Sequence, residues 1–308
     1  MKIKVTQHPL NPDDAAALAA LRPMLSANKG LLQGTAARAP FDDIMQHTPD
    51  AEGVTYQEDI VGGISGWWVR PANARADGAI LHLHGGWFNW GSAKAYRNFV
   101  GHVAAIAGTA AFIPDYRLAP ENPFPAAPKD AQAAYDGLID RGIKRVAVVG
   151  DSAGGALALG LRPRVKPVGI VALSPVTDLS QSGPSWETRD AFDIYFTRAQ
   201  AAALIASYLG DEDPTNPVAS PLFANLASLP PIRVHVGEDE LLLDDSIRFV
   251  ERAAAAGVDA TVDVWQGMLH VFPASVGRLQ AASEALNAIG AFLAERFAIA
   301  LTHPAVVS

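Results

Sequence analysis

Ser152 stands in Gly150-Asp151-Ser152-Ala153-Gly154, between the apolar run Val146-Ala147-Val148-Val149 and a small-residue stretch rich in Ala and Leu. A strand that runs into G-x-S-x-G and then into a helix predicts a tight turn, with the serine hydroxyl held clear at the sheet edge and a helix N-terminus behind it. The competing uses of such a turn are close packing and phosphate binding. A phosphate loop needs a Lys-Ser/Thr pair or G-x-G-x-x-G, and neither is present. Ser152 is therefore read as a nucleophile, the first half of acyl-transfer chemistry.

Serine is a weak nucleophile near neutral pH, so a base must take its proton and a third group must hold that base. The chain has 8 histidines. His8, His47 and His303 lie near the ends or in a covering segment, His102 falls in a helical pattern, and His82 and His235 lie in strands. His270, in Trp265-Gln266-Gly267-Met268-Leu269-His270, follows the last strand-like run, where the base of a Ser-acid-His chain order falls. For the acid, Asp239 is preferred because it lies one strand before His270. Asp178 follows the preceding strand and reads as structural or as positioning a lid. Glu238, Glu240, Asp244 and Asp245 read mostly as a solvated face or a capped helix start.

Attack by Ser152 creates an oxyanion, and bare backbone N–H groups are the stabilisers such an anion needs. Gly85 and Gly86, at the end of the run Gly78 to His84, supply bare backbone, and Ala153 adds an N–H from the helix start. Trp87 and Phe88 follow at once and are read as walls of a pocket for an apolar substrate group. For Phe88, as for Trp90, a place in the core fits the same sequence equally well.

These residues need a scaffold. From about residue 78 onward, strand-like runs alternate with helix-like segments, which predicts a mainly parallel sheet covered by helices. Val54-Thr55-Tyr56 onward and Ile64-Ser65-Gly66 onward flank Gly62-Gly63 as a hairpin, so eight strands are expected. Asn11, Pro12 and Asp13 announce a helix within residues 1–45, and residues about 180–215 break the alternation. Both segments are expected to cap the carboxyl edge, leaving residues 46–308 as the catalytic domain. In 308 residues, 32 acidic against 24 basic side chains give a net charge of −8, which argues against nucleic acid or an anionic membrane as partner. No cysteine is present, which removes thiolate chemistry and suits the cytoplasm, and the first residues lack a signal-peptide pattern.

In combination and order, His84-Gly85-Gly86-Trp87, the stretch Asp115-Tyr116-Arg117 to Ala131 and Gly150 to Gly155 resemble the hormone-sensitive-lipase-like family of α/β-hydrolase-fold carboxylesterases. The resemblance runs from about residue 50 to the end. It implies a Ser152, Asp239, His270 triad, an oxyanion hole of Gly85, Gly86 and Ala153, no cofactor and no metal. It also implies a small ester of short-to-medium acyl length as substrate, and an expected homodimer through the sheet edge. Trp87 replaces the family's usual third glycine, which is expected to narrow the pocket. The link from Leu159 to Val171 is short for the family and is expected to trim the helix after Ser152.

Three other readings share part of this pattern. A lactonase or amidase uses the same triad. The pair His82 and His84, two apart on a strand, face one way and could begin a metal site, although no further ligand cluster accompanies them. A non-catalytic ligand-binding homologue would lack part of the triad, whereas all three members are present here.

Overall fold

The computed structural model describes residues 4–302; His303 lies outside them. In chain order the elements are β1 (Lys4–His8), α1 (Pro12–Ser26), α2 (Arg38–Gln46), β2 (Val54–Val61), β3 (Ile64–Pro71), β4 (Gly78–Leu83), α3 (Ala93–Ala107) and β5 (Ala111–Pro114). There follow α4 (Ala126–Asp140), β6 (Arg145–Asp151), α5 (Ala153–Gly160), β7 (Ile170–Leu173), α6 (Ser185–Thr188) and α7 (Arg198–Leu209). The chain closes with β8 (Ile232–Gly237), α8 (Leu243–Ala255), β9 (Ala260–Trp265) and α9 (Gln280–Thr302).

The sheet order is β1-β9-β8-β7-β6-β4-β5-β3-β2, with only the β2/β3 and β3/β5 pairings antiparallel. This is the α/β-hydrolase fold, with nine strands rather than the eight expected. The extra one is β1, a short polar strand that sequence pattern assigns to the N-terminal cap, paired in parallel with β9 from Lys4 against Thr261 to His8 against Trp265. The central strands are apolar throughout because both their faces are covered. Ile80, Ala147 and Val149 pack with Phe99 and Val103 of α3 and Leu293 of α9. Leu81, Leu83 and Val148 pack on the other side with Ala131 of α4, Leu157 of α5 and Phe249 of α8.

Helix α5 is only 8 residues long, the trimming that the short link predicts. Asn11 caps α1 by accepting from the Asp14 N–H at 2.7 Å, and the buried Asp14 carboxylate accepts from the Gln280 and Ala281 N–H groups at the start of α9. One acid thus pins the N-terminal segment to the last helix, where the helix dipole favours it. Among the described residues no helix is long and apolar enough to cross a membrane.

Candidate active site

Strands β6, β7, β8 and β9 are consecutive neighbours in the sheet, and all four run parallel. Their carboxyl ends carry Ser152, Ser174, the turn to Glu240 and the loop to His270. Neighbouring strands lie about 4.8 Å apart, so side chains from successive strand ends can meet. Ser152 occupies φ +53°, a left-handed conformation that a serine adopts only under constraint. Glycine is needed around it: a Cβ on Gly150 would lie 2.3 Å from the Gly154 carbonyl oxygen, and one on Gly154 would lie 1.9 Å from that of Leu83. Trp87, Phe88, Ser174 and Val271 also have positive φ, so this edge of the sheet gathers most of the strained non-glycine backbone among the described residues.

The His270 Nδ1–H donates to Glu240 Oε2 at 2.6 Å. Glu240 is fully buried, and its other oxygen accepts from the Ser174 hydroxyl and the Gly237 N–H, both at 2.7 Å. Donors alone face this carboxylate, which is the surrounding an anion requires. Ser174 in turn accepts from the Val271 N–H at 3.1 Å, tying the acid and base loops together. With its proton on Nδ1, neutral His270 keeps a lone pair on Nε2 for proton abstraction. Burial alone would lower the His270 pKa, but the carboxylates of Glu240, Asp193 and Asp151 outweigh it and the net shift is upward.

Asp239 is not brought to His270. Its carboxylate pairs with Arg22 of α1, whose guanidinium also donates to the carbonyls of Gly267 at 2.9 Å and Phe192 at 3.2 Å. The expectation for this stretch is therefore reversed: the first acid faces α1, and its neighbour, assigned to a solvated face, is wholly buried against the histidine. Asp178 has a structural place, accepting from Ser180, Ser182 and Arg248.

On the loop after β4, the two glycines have different roles. A Cβ on Gly85 would lie 2.3 Å from Asp151 Oδ2 and 3.0 Å from the Tyr96 hydroxyl. The Gly85 N–H faces that hydroxyl, which itself donates to Asp151 Oδ2 at 3.0 Å. Gly85 is thus engaged behind the nucleophile rather than free toward an oxyanion. Gly86, at φ +114°, and Trp87, at φ +55°, make no hydrogen bond through their N–H groups among the described residues. Ala153 opens α5, where first-turn N–H groups have no partner within the helix.

His82 and His84 turn to different partners. His82 Nε2 lies 3.3 Å from Asp151 Oδ1, and the His84 Nδ1–H donates to the Gly85 carbonyl at 2.8 Å. Burial lowers the His84 pKa to about 4, so this imidazole is a neutral brace, stacked on Tyr116. Phe88 stacks on Tyr208 with ring centres 3.9 Å apart and belongs to the core, the second of its two expected places. Trp87 meets Phe196 edge to face, and Phe196 meets the His270 ring the same way at 5.4 Å. The tryptophan therefore stands one ring away from the base, with its buried Nε1–H unpartnered among the described residues.

Both segments outside the regular alternation reach this edge. Arg22 of α1 binds the Asp239 turn and the Gly267 carbonyl on the loop before His270, and Asn89, on the loop after β4, donates to the Leu204 carbonyl of α7 and accepts from Ser207. Ser174, Tyr96 and Arg22 are missing from the sequence reading, and Glu240 enters it only as part of a solvated face or a capped helix start. Glu240 had a visible signal, since it directly precedes the apolar run Leu241 to Leu243.

A family described as having the alpha/beta hydrolase fold matches residues 80–274. An acetyl-hydrolase of Streptomyces hygroscopicus is 38% identical over 242 residues, 76% of this chain and 80% of that protein. An esterase of Acinetobacter venetianus is 33% identical over 270 residues, 85% of this chain and 89% of its own length. A solved esterase of the bacterial hormone-sensitive lipase family superposes with a TM-score of 0.86 at 34% identity, covering 93% of this chain and 99% of that one. A hormone-sensitive lipase from a metagenome library superposes with a TM-score of 0.84 at 32% identity, covering 90% and 97%.

Proposed function

Since the chain belongs to the hormone-sensitive-lipase-like branch of the α/β-hydrolase family and is a carboxylic ester hydrolase, we propose that Ser152, His270 and Glu240 carry a two-step acyl transfer on short-to-medium acyl esters. The observation that carries this reading is the buried 2.6 Å hydrogen bond from His270 to Glu240, at the ends of β9 and β8, across β7 from the strained Ser152 turn.

In the first step His270 Nε2 takes the Ser152 proton as the hydroxyl oxygen bonds to the ester carbonyl carbon. The oxyanion accepts from the N–H groups of Gly86, Trp87 and Ala153, while Gly85 keeps the loop in place through Tyr96 and Asp151. Collapse breaks the carbon–oxygen bond to the alcohol, which leaves with the proton from His270. Water then gives a proton to His270 and its oxygen to the acyl carbon, and the acid departs as Ser152 recovers its proton. Glu240 stays ionised throughout and stabilises the imidazolium formed in each half.

The bulk of Trp87 beside Phe196 supports small acyl groups, as does the likeness to an acetyl-hydrolase. The α1 and α6–α7 segments act as the cap over this pocket, and a homodimer is expected through an outer strand of the sheet. The deciding experiment is hydrolysis of p-nitrophenyl esters from acetate to palmitate, in chelator, by wild type and Ser152→Ala. Turnover of the short esters by wild type alone supports the proposal; substantial turnover by Ser152→Ala refutes it.

A further inference from the structure

We propose that Asp193, in the loop between α6 and α7, is a positioning residue that locks the His270–Glu240 pair to the cap and holds a second negative charge beside the imidazole. This rests on the triad reading above and extends it to a residue outside the triad.

Asp193 is buried, and its two oxygens share three backbone donors. Oδ1 accepts from the Tyr195 N–H at 2.9 Å and the Phe196 N–H at 3.0 Å, and Oδ2 from the Leu241 N–H at 3.1 Å. Each donor matters by its neighbour. Leu241 directly follows Glu240, so this bond fixes the backbone from which the triad acid projects. Phe196 carries the ring that meets His270 edge to face. Ile194, between them, packs with Met268 and Leu269, the two residues before His270. One carboxylate therefore organises a four-residue stretch of cap that touches the triad from the acid side and from the base side.

The charge has its own consequence. Among the described residues no lysine or arginine forms an ion pair with Asp193. Its charged and titratable neighbours are His270 and the Tyr195 phenol, the latter also within the fields of Arg22 and Arg278. Burial raises the Asp193 pKa, against which the protonated His270 and the three N–H groups pull downward. The groups facing His270 are Glu240, Asp193 and Asp151, all acidic. The imidazolium exists twice in each turnover, so a buried anion that touches neither substrate nor His270 still favours both transition states.

The test is the pH dependence of kcat/KM for a short p-nitrophenyl ester with wild type, D193N, D193E and E240Q, each checked for folding by circular dichroism. D193N removes the charge but retains an oxygen for the Tyr195 and Phe196 donors. Its acid limb is expected to move to lower pH, with kcat down about tenfold, the scale at which outer groups that orient metal-bound histidines act. A folded D193N whose acid limb stays in place overturns the proposal, because loss of packing alone does not shift that limb. D193E keeps the charge on a longer stem, and its expected result is an unmoved acid limb with a several-fold lower kcat. Should D193N fail to fold, an unchanged kcat in D193E overturns the positioning role. E240Q separates the two readings: wild-type turnover there sinks the triad itself, whereas a collapse there with D193N unshifted sinks only the role of Asp193.

Discussion

Two adjacent acids, Asp239 and Glu240, give the sharpest test of the site, because sequence favours the first and geometry the second. Glutamine at position 240 keeps the shape but replaces one carboxylate oxygen with an N–H donor. The three donors around Glu240, from His270, Ser174 and Gly237, then face a group that can accept from only one side. If the amide N–H turns to His270, the imidazole must present Nδ1 as acceptor, and its proton moves to Nε2, where the base needs a lone pair. A change of tautomer of this kind lowers kcat by a factor on the order of 10⁴ in other triads. At 1.36 kcal/mol per decade this is roughly 5 to 6 kcal/mol of transition-state stabilisation. Asparagine at 239 breaks only the partly exposed pair with Arg22, worth about 0 to 1 kcal/mol of stability. Its kcat is expected within about threefold of wild type, since the substitution leaves every contact of His270 in place. Steady-state hydrolysis of p-nitrophenyl acetate with thermal melts of both variants reads the two effects separately. A thousand-fold loss in D239N beside near-normal turnover in E240Q would refute the assignment of the acid.

Three further outcomes follow from the packing of this edge of the sheet. Gly85→Ala puts a methyl 2.3 Å from Asp151 Oδ2, and we expect it to abolish turnover by displacing the oxyanion loop, measurable as lost kcat in a protein that retains its helical spectrum. Trp87→Gly relieves a positive φ worth about 1 to 3 kcal/mol but removes a wholly buried ring, a loss of about 3 to 5 kcal/mol. The variant should melt earlier and shift its preference toward longer acyl chains in the ester series; an unchanged chain-length profile counts against Trp87 as a pocket wall. Burial, joined by the Asp178 carboxylate, pushes the Asp245 pKa up to about 7 despite the Thr177, Asp178 and Trp186 donors. The unfolded value is about 3.9, so the folded state holds this proton more tightly, and the stability it contributes is complete below about pH 4 and lost as pH rises through 7. The stability of wild type relative to D245N should fall across that window in thermal melts, and a flat or rising difference refutes the shift.

What the sequence discloses here follows from the range of each signal. Central strands buried on both faces read as unbroken apolar runs, and the helices that cover them end at glycines, so the alternating order and the parallel sheet are legible. Gly108, Gly142 and Gly257, just past α3, α4 and α8, all lie at positive φ, as a helix stop requires. The Ser152 turn is legible for a similar reason, since a Cβ at position 150 would lie 2.3 Å from the Gly154 carbonyl oxygen, a contact that only glycine avoids. Strand β1 is not, because five residues with four polar side chains carry no apolar period and gain their place only by pairing with β9. The choice between Asp239 and Glu240 fails for a related reason. Alternation distinguishes neighbours within a strand, but β8 ends at Gly237, and in the turn beyond it orientation is set by Ser174, Gly237 and Arg22.

The same limit explains why this edge depends on residues that no local motif announces. Ser152, Ser174, Trp87 and Val271 all hold positive φ, at a cost of about 1 to 3 kcal/mol each, and such backbone persists only where surrounding contacts over-determine it. Some of those contacts come from the sheet itself, as when the Ser152 N–H donates to the Leu173 carbonyl at 2.8 Å. Others come from residues far away in the chain: Arg22 holds Gly267 across 245 positions, Asn89 holds Leu204 across 115, and Asp193 holds Leu241 across 48. A side chain with such a role is an ordinary Arg, Asn or Asp whose own neighbours in the chain do not show what it will hold. The Ser152 turn is therefore readable from five consecutive residues, whereas the groups that hold His270 in register become visible only once the α1 and α6–α7 segments are packed onto the strand ends.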